Sequence, residues 1–503
     1  MLRRLATRFY FTLIVLVGVS FAFGEERLSF DIVGDQYRQE IRPLLDHFCL
    51  ECHSTELKEG ELDLERFVTL AEVRQAPDVW QNVRGMLSIG EMPPEDADGL
   101  DDRDRSRVIE WLSSEIQVAS AVRRAGQGHS SENDVPLEWS ETRNIKWKIR
   151  VPGRGWSSPV VADGRIWLTT AIVDREAASL RAVAFDVETG MEVVNTEVFR
   201  MTDTDLLNFK NSHASPTPVV EGDRVYVHFG AEGTAALTTS GDIVWTTRFP
   251  YISQHGNGGS PIVYEDLLII NCDGYDESFV VAVDKNTGEV RWKAPRRKPF
   301  NQAYSTPLMI RVGDRDQIIS VGAFQAAAYA PESGEEIWRI AYTLDGFSNV
   351  PRPVYGHGLV YIVTGFQQPS LLAVRVDGTG DVSQTHVKWT RRRSVPFTPS
   401  PLLVGEELYI VSDVGVITCL DATTGEQHWQ QRVVGNYSAS PVYAGGRIYF
   451  LSEEGVTTVI ALGKEFRELA TNSLDGWTLA STAIARGSIF IRSQSHLYRI
   501  GTP

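Results

Sequence analysis

The chain has 503 residues, 42% of them hydrophobic and 10% aromatic, which is room for two or three domains with large cores. Its formal charge of −16 excludes nucleic acid or an anionic membrane surface as the main partner, because both are held through a basic face.

Residues 1–24 read as an export signal. Arg3, Arg4 and Arg8 form a basic front, Phe9 to Gly24 carries no charge, and Ala22 and Gly24 are small residues at the positions a signal peptidase inspects. Cleavage is expected after Gly24. An uncleaved anchor is the rival reading, but its apolar run of 16 residues falls short of the roughly 20 that span a bilayer. Either way the remainder is exported, to the periplasm or cell envelope. No later segment is apolar enough for a membrane helix, so the cleaved protein has no transmembrane domain.

Residues 31–124 carry helical periodicity. Ile41, Leu44, Leu45 and Phe48 recur at i, i+3, i+4 and i+7. Trp80, Val83 and Leu87 repeat the stripe. So do Val108, Leu112 and Ile116, in a segment opened by Asp101, Asp102 and Asp104, as a helix N-terminus prefers. The stretch "RRAGQGHSSENDVP", Arg123 to Pro136, is polar and Gly/Ser-rich, and residues 125–137 read as a linker.

From residue 138 to 503 the rhythm changes to strands. "SSPVVADGRIWLTT" from Ser157 and "GSPIVYEDLLIINC" from Gly259 each join a short apolar strand to an alternating one through a turn, which is the pattern of a hairpin. Many copies end on a second signature, such as "DKNTGEVRW" to Trp292 or "DATTGEQHW" to Trp429, in which a turn leads to a strand closed by Trp. Prolines mark the period. Pro159, Pro218, Pro261, Pro307, Pro353, Pro401 and Pro441 are 59, 43, 46, 46, 48 and 40 residues apart, and Thr482 takes the same place in a degenerate last copy. Eight copies of four strands predict an eight-bladed β-propeller. The last copy has no closing strand. The orphan strand Asn144 to Ile149 is expected to fill that outer position and close the ring, removing two exposed sheet edges.

The chemistry concentrates in "FCLECHS". Cys49, Cys52 and His53 show the C-x-x-C-H spacing of covalent c-type haem attachment. Two thiols three residues apart can form thioethers with both vinyl groups of a porphyrin, and the next residue then lies under the ring, where an imidazole can bind iron. Met is a common second axial ligand in electron carriers, and Met92 in "GEMPPED" is favoured, with Pro93 and Pro94 stiffening the backbone beyond it. Met86 reads as core and His47 as a solvated helix residue. A thioredoxin-type C-x-x-C would need an α/β context. Zinc would need a second ligand pair, and Cys272 and Cys419 lie in the strand region.

"IRPLLDHFCLECHSTELKEGELDLE", "VWQNVRGMLSIGEMPPED" and "RSRVIEWL" together resemble the planctomycete-type cytochrome c domain. That resemblance implies a small all-α domain holding haem c through Cys49 and Cys52, with His53 and Met92 on the iron. The repeats resemble the quinoprotein-like propeller family, which includes pyrroloquinoline quinone (PQQ) dehydrogenases and the assembly factor BamB. Quinoprotein dehydrogenases carry PQQ and calcium beneath a disulfide between adjacent cysteines. This chain has no Cys–Cys pair, which argues against PQQ and calcium here. His213, His255, Asn257 and Asn349 precede first strands of blades, where loops converge on the channel mouth, and are candidates for a ligand site. Gln302 and Asn436 share that placement. Asp273 and Asp276 read as turn residues. The expectation is an exported electron-transfer protein whose partner is a redox protein or a small-molecule electron donor. A PQQ-type dehydrogenase that feeds electrons to the haem and a BamB-like envelope scaffold are the alternatives.

Overall fold

The prolines that set the sequence period each stand just before the innermost strand of a blade. The computed structural model describes residues 37–75, 77–94, 100–101, 103–112, 127–174, 177–202, 207–313, 315–342, 346–366 and 368–502. The expected leader, residues 1–24, lies outside them. The chain divides into two compact units, Met1–Val122 and Arg123–Pro503.

The second unit is an all-β propeller of eight antiparallel sheets. Blade three is representative: strands Ile262–Tyr264, Leu267–Asp273, Ser278–Asp284 and Val290–Pro295 pair in sequence order. The two middle strands of each blade are buried on both faces, so they read as continuous apolar runs, while outer strands alternate. In the last blade, Ile145–Arg150 pairs antiparallel with His496–Gly501 and supplies the outer strand. The ring is therefore closed by hydrogen bonds between the two ends of the unit. Buried Arg492 adds to the closure: its Nη1 donates to Ser157 Oγ at 2.7 Å and Thr169 O at 2.9 Å in blade one.

Closing tryptophans of several blades bind the next blade, and the Thr-Gly turn explains how, whereas Trp338 Nε1 donates to Gln317 Oε1 of its own blade. Trp245 Nε1 donates to Lys285 O at 2.9 Å, and Trp389 Nε1 to Ala422 O at 3.2 Å. The turn glycine beneath each ring has positive φ, and a Cβ there would come within 2.6 Å of Trp245 at Gly288 and of Trp389 at Gly425. Blade four departs from the pattern. Its sheet gains a fifth strand, Gly380–Asp381, parallel to Trp338–Arg339, donated by the long insertion in blade five. From Gln127 onward the polar segment before the first strand is bonded along the blades: Ser130 N donates to Tyr443 O at 2.8 Å, and Glu132 accepts from the N–H groups of Arg486 and Gly487.

In the first unit a π-helical turn, Tyr37–Ile41, runs into α1 (Arg42–Phe48), followed by α2 (Leu70–Gln75), α3 (Pro77–Ile89) and a helix over 103–112. Thr69 and Glu72 form a reciprocal capping box that starts α2, with Thr69 N donating to Glu72 Oε2 at 2.7 Å and Glu72 N to Thr69 Oγ1 at 3.3 Å. Ile41, Leu45, Trp80, Val83, Leu87, Val108 and Leu112 form one buried cluster. Met86 does not join it. It is 43% exposed, one position off the Trp80–Val83–Leu87 stripe, which corrects its reading as core. His47 is exposed. Among the described residues no helix is long and apolar enough to cross a membrane.

Candidate functional site

Cys49, Cys52 and His53 share one turn at the C-terminal end of α1, where His53 N donates to Cys49 O at 2.9 Å. All three side chains are half-buried, and no disulfide joins the thiols. Burial, with Cys52 as a second cause, pushes the Cys49 thiol up to about 11. The chain then folds back tightly: Glu59 N donates to Cys52 O at 3.0 Å and Leu64 N to His53 O at 2.8 Å. This loop brings Glu59 O within 2.9 Å of His53 Nδ1. A carbonyl only accepts, so Nδ1 carries the proton and Nε2 keeps its lone pair. That is the tautomer a metal-binding imidazole requires, held by an outer partner. Cys49 packs against the helical cluster, and two indole donors of that cluster, Trp80 Nε1 and Trp111 Nε1, are buried without an acceptor. Met92 follows α3 at 37% exposure, and its carbonyl accepts from Arg105 Nη1 at 2.7 Å. Arg105 also reaches Leu87 O, so the helix over 103–112 anchors the Met92 segment to the end of α3.

The propeller has a second candidate site, a cavity of about 930 Å³. Its lining includes one residue from each blade, the one directly before the phased proline or, in blade eight, Thr482. Seven of these eight are Ser or Thr, and the blade-five member is Arg352. The hydroxyls are chained. Ser158 N donates to Thr217 Oγ1 at 3.0 Å, Thr217 N to Ser260 Oγ at 2.9 Å, and Ser260 N to Thr306 Oγ1 at 2.9 Å. Beyond the arginine the pattern resumes: Arg352 N donates to Ser400 Oγ at 2.9 Å, Ser400 N to Ser440 Oγ at 3.0 Å, and Ser440 N to Ser481 Oγ at 2.9 Å. Six of the eight inner strands are thus registered on the next. Trp156, Phe209, Tyr275, Phe347, Phe366 and Phe397 add aromatic surface to the cavity.

The four candidate mouth residues separate. His255 lines the cavity, exposed, at φ +68°. His213, half-buried with its imidazole pKa lowered by burial, is not among the lining residues. Asn257 also stands outside the lining, and its Oδ1 accepts from Gly258 N at 2.9 Å. Asn349 is a clamp between loops: Nδ2 donates to Gly322 O and Gly346 O at 2.8 and 3.1 Å, and Oδ1 accepts from Gly365 N at 2.8 Å. Gln302 lines the cavity at 2% exposure, with no partner for its Oε1. Asn436 binds Glu454 instead. Asp276 accepts from Ile252 N, as a loop residue does. Asp273 is not a turn residue. It ends a buried strand and grips Arg296 at 2.6 and 3.1 Å. The sequence signal missed was the Ser/Thr before each phased proline; the Asp273–Arg296 pair left none.

Comparison with known proteins follows this division. Residues 49–96 match the family described as planctomycete cytochrome C. Residues 181–412 and 325–470 match the family described as outer membrane protein assembly factor BamB. The chain belongs to the BamB family through its propeller. It is 27% identical over 232 residues to the BamB of Burkholderia pseudomallei (strain K96243), a match that covers 44% of this chain and 56% of that protein's length. The crystal structure of BamB from Moraxella catarrhalis superposes with a TM-score of 0.51 at 12% identity, over 71% of this chain and 96% of that one. A europium-containing methanol dehydrogenase gives 0.49 at 11% identity, over 71% and 87%. Unlike the BamB match, the cytochrome match lies wholly within the first unit.

Proposed function

We propose that this chain is an exported c-type haem protein that transfers electrons, with a propeller that docks a redox partner protein or a small ligand. In this reading the first unit is a small all-α cytochrome c domain. Cys49 and Cys52 would hold the porphyrin through thioethers, and His53 and Met92 would supply the ligands to its iron. The single observation that carries the reading is the 2.9 Å contact from His53 Nδ1 to Glu59 O, which leaves Nε2 basic directly after the paired cysteines. The donor set fits the group in kind as well, being two thiols, one imidazole and one thioether. Trp80 and Trp111 add buried N–H groups that acceptor oxygens on a bound group would satisfy. When bound, the haem supplies a one-electron Fe(II)/Fe(III) couple. The chain's part is to fix the His53 tautomer, anchor the Met92 segment through Arg105, and exclude water with the helical cluster.

The protein is to be produced with its leader in a host that has a haem-ligation system. Intact mass and visible spectra should report one covalently attached haem, and a potentiometric titration should give a reversible one-electron wave. A mass equal to the bare mature polypeptide would overturn the reading. Membership of the BamB family supports a second reading, an envelope interaction scaffold with an accessory haem unit. Under it, partner binding would be indifferent to haem loss. A PQQ-type dehydrogenase remains the third, and substrate-dependent haem reduction on adding PQQ and an alcohol would establish it.

A further inference from the structure

A short segment at the entry to blade two lies over the mouth of the channel. Asn208, Phe209, Lys210 and Asn211 precede the first strand of that blade, and all four line the cavity. Lys210 Nζ lies 2.7 Å from Glu453 Oε1, in the turn between the second and third strands of blade seven. Asp413 occupies the matching turn of blade six. Burial raises its carboxyl pKa, and the Lys210 charge is among the groups that oppose this. Blades two and six stand opposite each other in a ring of eight, so the Lys210 ammonium reaches over the mouth rather than to an adjacent blade.

The two ends of the segment are held differently. At its base Asn211 Nδ2 donates to His255 O at 2.6 Å, and Asn211 N donates to Asn208 O at 2.8 Å. Leu207 bridges to His255. Gly256, at φ +84°, lets the base sit close: a Cβ there would come within 2.7 Å of Leu207 Cδ2. The tip has a single tie. Phe209 is 76% exposed, and among the described residues the Lys210–Glu453 pair is the side-chain bond that joins the tip to the far side of the ring. The two partners are unequal. The Glu453 side chain is 7% exposed, and its Oε1 also accepts from Ser438 Oγ at 2.6 Å, so the carboxylate stays in place when the ammonium leaves. Lys210 is 33% exposed on a flexible stem, and water can take over its donors.

We infer that residues 207–212 form a strap over the propeller cavity, fixed at its His255 base and latched at its tip by Lys210 on Glu453, and that release of this latch admits molecules to the cavity. This deepens the ligand-docking half of the proposed function and rests on it. The strap adds a controlled entrance to the ring of hydroxyls.

The test uses the full mature holoprotein with a reporter thiol in the cavity wall, Ser440→Cys, and follows its labelling by N-ethylmaleimide. Cys272 and Cys419 are buried, and every labelled site is assigned by peptide mass. Lys210→Met removes the charge, keeps the length of the stem, and should speed labelling about tenfold with an unchanged melting transition. Glu453→Gln should do the same, and the two together no more than either alone, because both break one contact. Lys210→Arg should restore slow labelling. Ser481→Cys serves as a second reporter should the first variant fail to fold. Rates that Lys210→Met leaves unchanged, increases that add in the double variant, or an increase that comes only with a lowered melting transition overturn the inference. Haem content is recorded for each sample. Latch-dependent labelling in a preparation without covalent haem would remove the electron-transfer reading and leave the strap standing; latch-independent labelling in a haem-loaded preparation would do the reverse.

Discussion

The Asp273–Arg296 pair offers the most stringent test of how the propeller is held. Both side chains are 1% exposed, and the guanidinium meets the carboxylate at 2.6 and 3.1 Å and Ser320 Oγ at 2.8 Å. Ser320 in turn donates to Asn271 Oδ1 at 2.6 Å, so one polar chain links blades three and four. Burial by itself lowers the Arg296 pKa; the Asp273 carboxylate opposes this and leaves it raised. Asp273→Leu strands a buried cation and should cost about 3–5 kcal/mol. Arg296→Met strands the carboxylate and should cost a similar amount. Replacing both, Asp273→Leu with Arg296→Met, removes the two desolvation penalties together and should be near neutral. The coupling between the sites is then the sum of the two single losses, several times what an exposed pair gives. Urea unfolding of the four proteins, followed by tryptophan fluorescence, measures it. Additive losses, with the double variant the least stable of the four, would refute the reasoning.

Three further outcomes are expected. Cys49→Ser with Cys52→Ser should abolish covalent haem by mass while the β-sheet circular dichroism of the propeller and its melting transition persist; loss of that transition as well would show that the units do not fold independently. Met92→Ala should remove the weak sulfur-to-iron charge-transfer band of the oxidised protein and lower the potential in a redox titration; an unchanged spectrum and potential would reject Met92 as a ligand. The Thr423 hydroxyl and the Thr424 N–H hold Asp421 down to about 2, and Thr189 likewise lowers Asp186. A depressed folded pKa contributes stability that is complete above the unfolded carboxylate value, about 4, and is lost as pH falls through about 2. Melting temperature should therefore drop across that window, less steeply in Asp421→Asn; identical slopes would remove the turn as the cause.

Much of the architecture could be read directly. The phased prolines, the Thr-Gly turns and the alternating strands act over a few residues, so each blade is written locally, and the missing strand of the last copy pointed to Asn144–Ile149. The cysteine turn was equally legible, because attachment chemistry demands adjacent residues. The candidates at the channel mouth were less so. All four precede an inner strand, yet His255 faces the cavity while Asn349 is consumed by three loop hydrogen bonds, and residues immediately beside a strand can point either way.

The sequence alone determined the number of blades, the place where the ring closes, and the grouping of Cys49, Cys52 and His53, since repeat period and motif spacing are properties of a line. Tertiary structure decided which side chains meet across strands and blades: Arg296 finding Asp273, Trp245, Trp292 and Trp389 each finding the next blade's turn, and Arg352 entering a circle of hydroxyls drawn from segments tens of residues apart. It also decided the His53 tautomer, through the carbonyl of Glu59. These contacts depend on the twist and radius of the closed ring and on loop trajectories, quantities set by packing all the blades together and carried by no single stretch of chain.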